Sequence, residues 1–274
     1  MTTENHPANT TLSWTIALNH ALTVPGSIMK AYSSFHNYSI GNQILALIQC
    51  QLRGIPAGPI STFNGWRERN RFVKRGERAL MLCMPITRKR NGKREDGREA
   101  GEIDTDEVFT TSFVFKPRWF VVSQTEGEDF PLPTTPTWNA ETALANLDIT
   151  RIPFTATDGN SQGYARRREI AINPVAQLPN KTLLHEMAHV VIGHTTEETF
   201  VDNPHTPKNL REVEAEAVAL LCGEALGFEG SEFCRGYIQH WLQSDTIPEA
   251  SAKRIFGAAH RILAAGREDF ATSN

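Results

Sequence analysis

Hydrophobic positions in the first third of the chain keep a helical period. In SSFHNYSIGNQILALIQCQL, Ile40, Ile44, Leu45, Leu47, Ile48 and Leu52 recur at the spacing that lines one helix face, with Ser39 or Asn37 placed to cap it. Residues 11–52 are therefore predicted to be mainly helical, and RGIPAGPI ends the pattern. RALMLCMPI and FTTSFVFKPRWFVVSQ are rich in β-branched and aromatic residues and predict strands. Between them RKRNGKREDGREAGEIDTDE is charged and glycine-bearing, which fits an exposed hairpin loop or excursion. GEDFPLPTTPTWN, with Pro131, Pro133 and Pro136, reads as a linker and places a boundary near residue 135.

Beyond it, residues 139–147 predict a helix. GYARRREIAINP alternates like a strand and stops at Asn173-Pro174, and KTLLHEMAHVVIGH predicts a long helix. After the polar loop TTEETFVDNPHTPKN, LREVEAEAVALLCGEALG predicts a helix ended by Gly227, and two more follow near 231–243 and 248–266. The pattern gives an α+β chain of two domains, 1–135 and 136–274. The second is mainly helical with a small sheet. No internal repeat stands out.

Composition narrows the class. Hydrophobic residues make up 40% and charged residues 22% of the 274, as in a soluble globular protein. No apolar run reaches the roughly 18 residues that span a bilayer. The start MTTENHPANTTLSW has neither a basic nor an apolar signal region, so no secretion signal is expected. Cys50, Cys83, Cys222 and Cys234 are scattered, which predicts neither a disulfide framework nor a thiolate metal site and fits a cytoplasmic setting. The net charge of −3 hides an asymmetry, because residues 53–94 carry 12 basic and 2 acidic side chains. Such a segment can attract a polyanion, or it can be a solvated basic face.

The candidate chemistry lies in the long helix. His185, Glu186 and His189 interrupt an apolar run in the order HExxH. Imidazoles four residues apart share a helix face and can bind one metal ion, and the glutamate between them can serve the water on that ion. Zinc brings bound water near pH 7 in pKa, and Glu186 can take its proton as general base. Unpaired histidine and glutamate side chains would be costly to bury in such a helix, which weighs against coincidence. A catalytic zinc wants a third protein ligand. Glu212 and Glu216 share a face of the next helix while Glu214 points elsewhere. Glu212 is the expected ligand, with Glu216 as alternative or supporting partner. His194 and His205 are weaker candidates. The same ligands accept manganese or cobalt. The strand preceding the motif helix could pair with an extended substrate.

The first half then resembles a known family. FHNYSIGNQILALIQCQ, TFNGWRERNRFVKRGERALMLCMPI and FVVSQTEGEDFPLP resemble the N-terminal domain of ArdC-type antirestriction proteins, from the YS-x-G-N helix to the S-Q-T-E-G strand end. The order Lys74-Arg75-Gly76-Glu77 departs from many relatives, and stretch 88–107 is of a kind that varies in length. The resemblance implies a single-stranded DNA-binding first domain and a zinc-peptidase-like second domain. The latter is also similar to ImmA/IrrE-type metallopeptidases, whose third ligand corresponds to Glu212 in EVEAEAVA. A single-strand binder needs cations for phosphates and aromatic platforms for bases. The candidates are Tyr38, Asn42, Trp66, Arg67, Arg71, Lys74 and Arg75, amid Arg69 and Arg78. Phe63 is a further platform candidate, whereas Phe72 and Trp119 read better as core. For Trp66, stacking and packing both remain open.

The function implied is protection of incoming plasmid or phage DNA from restriction, with single-stranded DNA as partner, a protein or peptide as a further substrate, and no membrane. The competing reading is a regulatory metalloprotease that cleaves a specific protein such as a repressor. A third is a binding protein with a structural metal.

Overall fold

The computed structural model describes residues 12–89, 109–132, 134–156, 160–195, 207–242 and 245–267. His205, Pro133 and most of the charged stretch 88–107 lie outside the described residues.

The helical stretch of residues 11–52 resolves into three helices. Ser13 caps α1 (Trp14–Thr23) by accepting from the Ile16 N–H at 3.1 Å. Pro25-Gly26 interrupts the chain before α2 (Ser27–Phe35). Ser39 stands at the N-cap of α3 (Ile40–Arg53), which stops at the left-handed Gly54, φ 62°. Of the apolar set in α3, Ile40, Ile44, Leu45, Leu47 and Ile48 are buried, while Leu52, in the last turn beside Arg53, is 71% exposed.

The predicted strands pair in antiparallel fashion. β1 (Ile60–Thr62), β3 (Leu80–Lys89) and β4 (Phe109–Val121) form a sheet in the order β1-β4-β3. β2 (Arg71–Val73) pairs separately with β5 (Thr125–Gly127), and the short α4 (Phe63–Arg67) connects β1 to β2. Ile60, Trp66, Leu80, Leu82 and Val121 are buried here.

Further on come α5 (Ala140–Asn146), β6 (Thr150–Arg151), β7 (Gly163–Arg166), β8 (Glu169–Ile172), α6 (Pro179–Ile192), α7 (Lys208–Leu226), α8 (Ser231–Leu242) and α9 (Glu249–Ala265). The second sheet runs β6-β8-β7, with β7 at an edge. GYARRREIAINP was expected as one strand and is a hairpin. Arg167, at φ 54°, and Arg168 make a two-residue turn, and Arg168 is held there by Nε donating to the Asp148 carbonyl at 2.8 Å. Arginine is not a turn-forming residue by preference, so the reversal leaves no local signal.

The chain does not part at residue 135. The described residues within Met1–Pro59 and Asp129–Asn274 form one compact unit, and those within Ile60–Glu128 form another. Long-range hydrogen bonds explain why α1 and α2 join the C-terminal helices. The Glu249 carboxylate accepts from the Trp14 N–H at 3.1 Å and the Thr15 N–H at 2.9 Å, and Glu224 accepts from the Ile28 N–H at 3.2 Å. The proline-bearing segment before residue 139 forms no helix or strand among its described residues beyond an isolated bridge at Trp138. Among the described residues no helix is long and apolar enough to cross a membrane.

Candidate functional site

Helix α6 starts at Pro179, where a missing N–H costs nothing, and ends at Gly193, φ 94°. Leu183, Leu184, Met187, Ala188 and Val190 are buried, which leaves His185 and His189 directed at α7. Glu212 answers from the first turns of α7. His185 Nε2 lies 3.1 Å from His189 Nε2, and Glu212 Oε2 lies 3.5 Å from the first and 3.6 Å from the second. Ligand atoms 2.0–2.1 Å from a tetrahedral zinc stand about 3.3–3.4 Å apart, so the triangle has the edge lengths that such an ion requires. Among the described residues this is the group of three that could hold a metal.

The supports of the two imidazoles differ. His185 Nδ1 meets Glu216 Oε2 at 2.9 Å, and Lys181 Nζ holds the other oxygen of Glu216 at 2.8 Å. His189 Nδ1 meets His194 Nδ1 at 3.0 Å, and His194 Nε2 meets Glu214 Oε2 at 2.9 Å. Arg254 pairs with the remaining oxygen of Glu214 and also bonds Ser251 Oγ at 2.9 Å. Glu216 thus stands behind His185 as a supporting partner, while Glu212 faces both imidazoles. Glu214 leaves the ligand face, as its spacing demanded.

The electrostatics follow from this crowding. Burial alone would lower the His185 pKa, but hydrogen bonds to Glu212 and Glu216, with the Glu186 charge, raise it to about 9. The His185 and His189 hydrogen bonds hold Glu212 well below the carboxylate range. Burial would raise Glu216, but His185 and Lys181 bring it down to about 2. Burial pushes Glu186 up despite the two histidines beside it. Burial also lowers His194 against the pull of Glu214.

A cleft of about 380 Å³ opens over these residues and is lined by Gly163 and Ala165 of β7 as well as Lys208 and Arg211 of α7. Gly163 lets β7 approach α6, because a Cβ there would lie 2.7 Å from Thr182 Cγ2 and 3.1 Å from Glu186 Oε1.

The expected DNA contacts fall in both units. Trp66 is fully buried, and its Nε1 donates to the Phe120 carbonyl at 2.8 Å. A ring packed this way offers no face to a base, so packing decides the reading that the sequence left open. The expectation for Phe72 reverses in the other direction. It is 54% exposed on the short β2, whose partner strand is too small to cover both faces. Phe63 is 48% exposed. Arg67 and Arg75 are exposed. Arg71 bonds Thr125 Oγ1 at 2.8 Å and the Thr125 and Glu128 carbonyls, and Lys74 Nζ donates to the Ser123 carbonyl at 3.0 Å. Tyr38 and Asn42 are half-buried at the start of α3, in the other unit.

Residues 11–115 match the family model of the N-terminal domain of anti-restriction factor ArdC. Over those residues the chain is similar to the ArdC N-terminal domain. That ArdC match runs across α1–α3 and on into β4, so it spans parts of both compact units. The crystal structure of the antirestriction ArdC protein from plasmid R388, metal-free, aligns with 92% of this chain and 94% of its own, at 17% identity and a TM-score of 0.53. That likeness establishes an ArdC fold over nearly the whole length. The Mn(II)-bound structure of the R388 protein aligns with 92% of this chain and 95% of its own, at 14% identity and a TM-score of 0.48. No curated protein matches the chain.

His194, the weaker ligand candidate of the sequence, stands behind His189 and outside the ligand triangle, and sequence reasoning passed over Arg254 and Lys181. Arg254 lies 40 positions from Glu214, and no spacing rule joins them. His194 carried one signal, its place directly after the glycine that ends α6.

Proposed function

We propose that this ArdC-type chain is an antirestriction-type single-stranded DNA-binding protein with a zinc-dependent, metallopeptidase-like site. The observation that carries the reading is the convergence of His185, His189 and Glu212 within 3.6 Å of one another. A zinc ion there would acidify a bound water and polarise a substrate carbonyl, and manganese or cobalt suits the same donor set. Glu186 is the general base. It adjoins His185, is 7% exposed, and its raised pKa suits a group that takes a proton and hands it on. Lys181 and Glu216 hold His185 in place.

One observation favours a peptide as the substrate of this site. In the β7–β8 ladder Tyr164 and Arg166 face their partners as hydrogen-bonded pairs, continuing Asn173 N–H to Gln162 carbonyl at 2.8 Å. The alternate residues Gly163 and Ala165 turn their backbone groups away from β8, where the Gly163 carbonyl accepts from Ser161 Oγ at 2.9 Å, and both line the cleft beside Glu186. An extended peptide could add there as a strand. This supports the second reading, a regulatory metalloprotease acting on a specific protein.

For single-stranded DNA the favoured contacts are Arg67 and Arg75 for phosphates and the exposed Phe63 and Phe72 for bases.

Fluorescence anisotropy of a labelled single-stranded oligonucleotide, competed with duplex across a salt series, tests the DNA half. Preference for single strands with steep salt dependence is expected, and no binding at low salt overturns it. Glu186→Ala separates the readings of the metal site. Protection of incoming DNA that survives the substitution means peptidase chemistry is not needed for that role. Protection lost while DNA binding stays implicates catalysis.

A further inference from the structure

We infer that His194, Glu214 and Arg254 form a positioning relay that fixes the tautomer of His189 and so sets the metal affinity of the site. The inference rests on the reading of His185, His189 and Glu212 as metal ligands.

Three forced choices lead from the carboxylate to the ligand atom. Glu214 is 1% exposed, and an ionised carboxylate only accepts hydrogen bonds. One of its oxygens is taken by Arg254, so the nitrogen 2.9 Å from the other, His194 Nε2, carries a proton. A neutral imidazole has a single N–H, which leaves His194 Nδ1 as an acceptor. The atom 3.0 Å from it, His189 Nδ1, must then be the donor. Neutral His189 is left with its lone pair on Nε2, the atom that faces His185 Nε2 and Glu212 Oε2. His185 would reach the same state in one step once a metal displaces its Nε2 proton, because its Nδ1–H is directed at Glu216. With both histidines neutral, as metal ligands must be, their lone pairs converge with a carboxylate oxygen on one point, which a cation would complete.

The backbone explains why His189 needs an intermediary. His189 lies in the last turn of α6. Gly193, at φ 94°, reverses the chain there, and the His194 N–H returns to the His189 carbonyl at 2.8 Å. This closure folds the His194 ring back over His189, where it bridges to a carboxylate on α7. The ring centroids of the two histidines are 5.1 Å apart. Arg254, on α9, balances the charge of Glu214 and bonds Ser251, so a third helix fixes the far end of the relay. Partners that orient a ligating histidine commonly govern 10–100-fold in metal affinity.

The test is a zinc titration of the full-length protein against a chromophoric chelator, paired with the absorption spectrum of the cobalt-loaded form. Circular dichroism of the metal-free proteins checks folding. The wild type should bind one zinc and Glu212→Gln should lose it. If the wild type binds none, the reading of the site fails and the relay with it. Given wild-type binding, His194→Phe, which keeps a ring but neither polar atom, should bind about 10–100-fold more weakly and shift the cobalt spectrum. His194→Gln offers one acceptor and one donor in place of the ring nitrogens and should restore most of the affinity. A merely structural role for His194 predicts no such rescue in affinity among folded variants. Affinity of folded His194→Phe equal to that of the wild type overturns the relay. Should that variant not fold, Glu214→Gln is read in its place, with weaker binding expected and unchanged binding overturning the proposal.

Discussion

The Trp66 indole donates to the Phe120 carbonyl at 2.8 Å from a fully buried position, while Phe72, six residues along, is 54% exposed. The two aromatics should therefore fail differently. Trp66→Ala should cost about 3–5 kcal/mol of stability, from a large cavity and an orphaned carbonyl. Phe72→Ala should leave the melting temperature unchanged and weaken single-stranded DNA binding by about 1–3 kcal/mol if the ring stacks on a base. Thermal melts and anisotropy on the two variants separate these roles.

The arginines around them divide in the same way. Arg71 is tied to Thr125 and Glu128, so Arg71→Ala should loosen the β2–β5 pair and lower the melting temperature. Arg67 is exposed, and Arg67→Ala should weaken DNA binding across sequences and reduce the salt slope by roughly one unit without a change in stability.

Metal should stabilise the fold. Zinc at about 100 times its dissociation constant should add about 2.7 kcal/mol, raising the melting temperature until a chelator reverses it. In Glu212→Gln the increment should disappear. Calorimetry with and without zinc reads both.

The metal-free protein should lose stability with rising pH. The folded pKa of His185, about 9, exceeds the unfolded value of 6.5. Its contribution is therefore complete below pH 6.5 and fades as pH climbs through 9, by up to about 3 kcal/mol. Glu216, at about 2 against an ordinary 4.5, acts oppositely: its contribution is present above pH 4.5 and is lost as pH falls through 2. Metal-free stability should peak near pH 4.5–6.5. Urea titrations across pH measure this, and His185→Gln should flatten the alkaline limb.

Gly163→Ala probes the closeness of β7 to α6. The new methyl group would meet Thr182 Cγ2 at 2.7 Å, the Ala171 carbonyl at 3.0 Å and Glu186 Oε1 at 3.1 Å. About 1–3 kcal/mol of destabilisation is expected, together with displacement of Glu186. If the site cleaves peptides, turnover should fall more than zinc affinity, which a peptidase assay beside the chelator titration would show.

Much of this protein was written in local pattern. The period of α3, the paired strands β3 and β4, and the HExxH spacing in an apolar helix are all properties of neighbouring residues, and neighbours are what a sequence displays. Four-residue spacing on α7 likewise put Glu212 and Glu216 on one face and sent Glu214 to another. Tertiary packing decided the rest. The hairpin at Arg167-Arg168 is held by contacts to Leu147 and Asp148, about twenty positions away, so alternation alone made one strand of two. Burial of Trp66 and exposure of Phe72 depend on which strands cover them, and both are flanked by the same basic run. The assignment of α1 and α2 to the C-terminal unit rests on Glu249 and Glu224, more than 190 positions distant. By itself the sequence determined which side chains could meet a metal, because an α-helix fixes the angle between residues four apart. Only the tertiary structure decided which carboxylate faces both imidazoles and which stand behind them, because that choice depends on how α6, α7 and α9 pack.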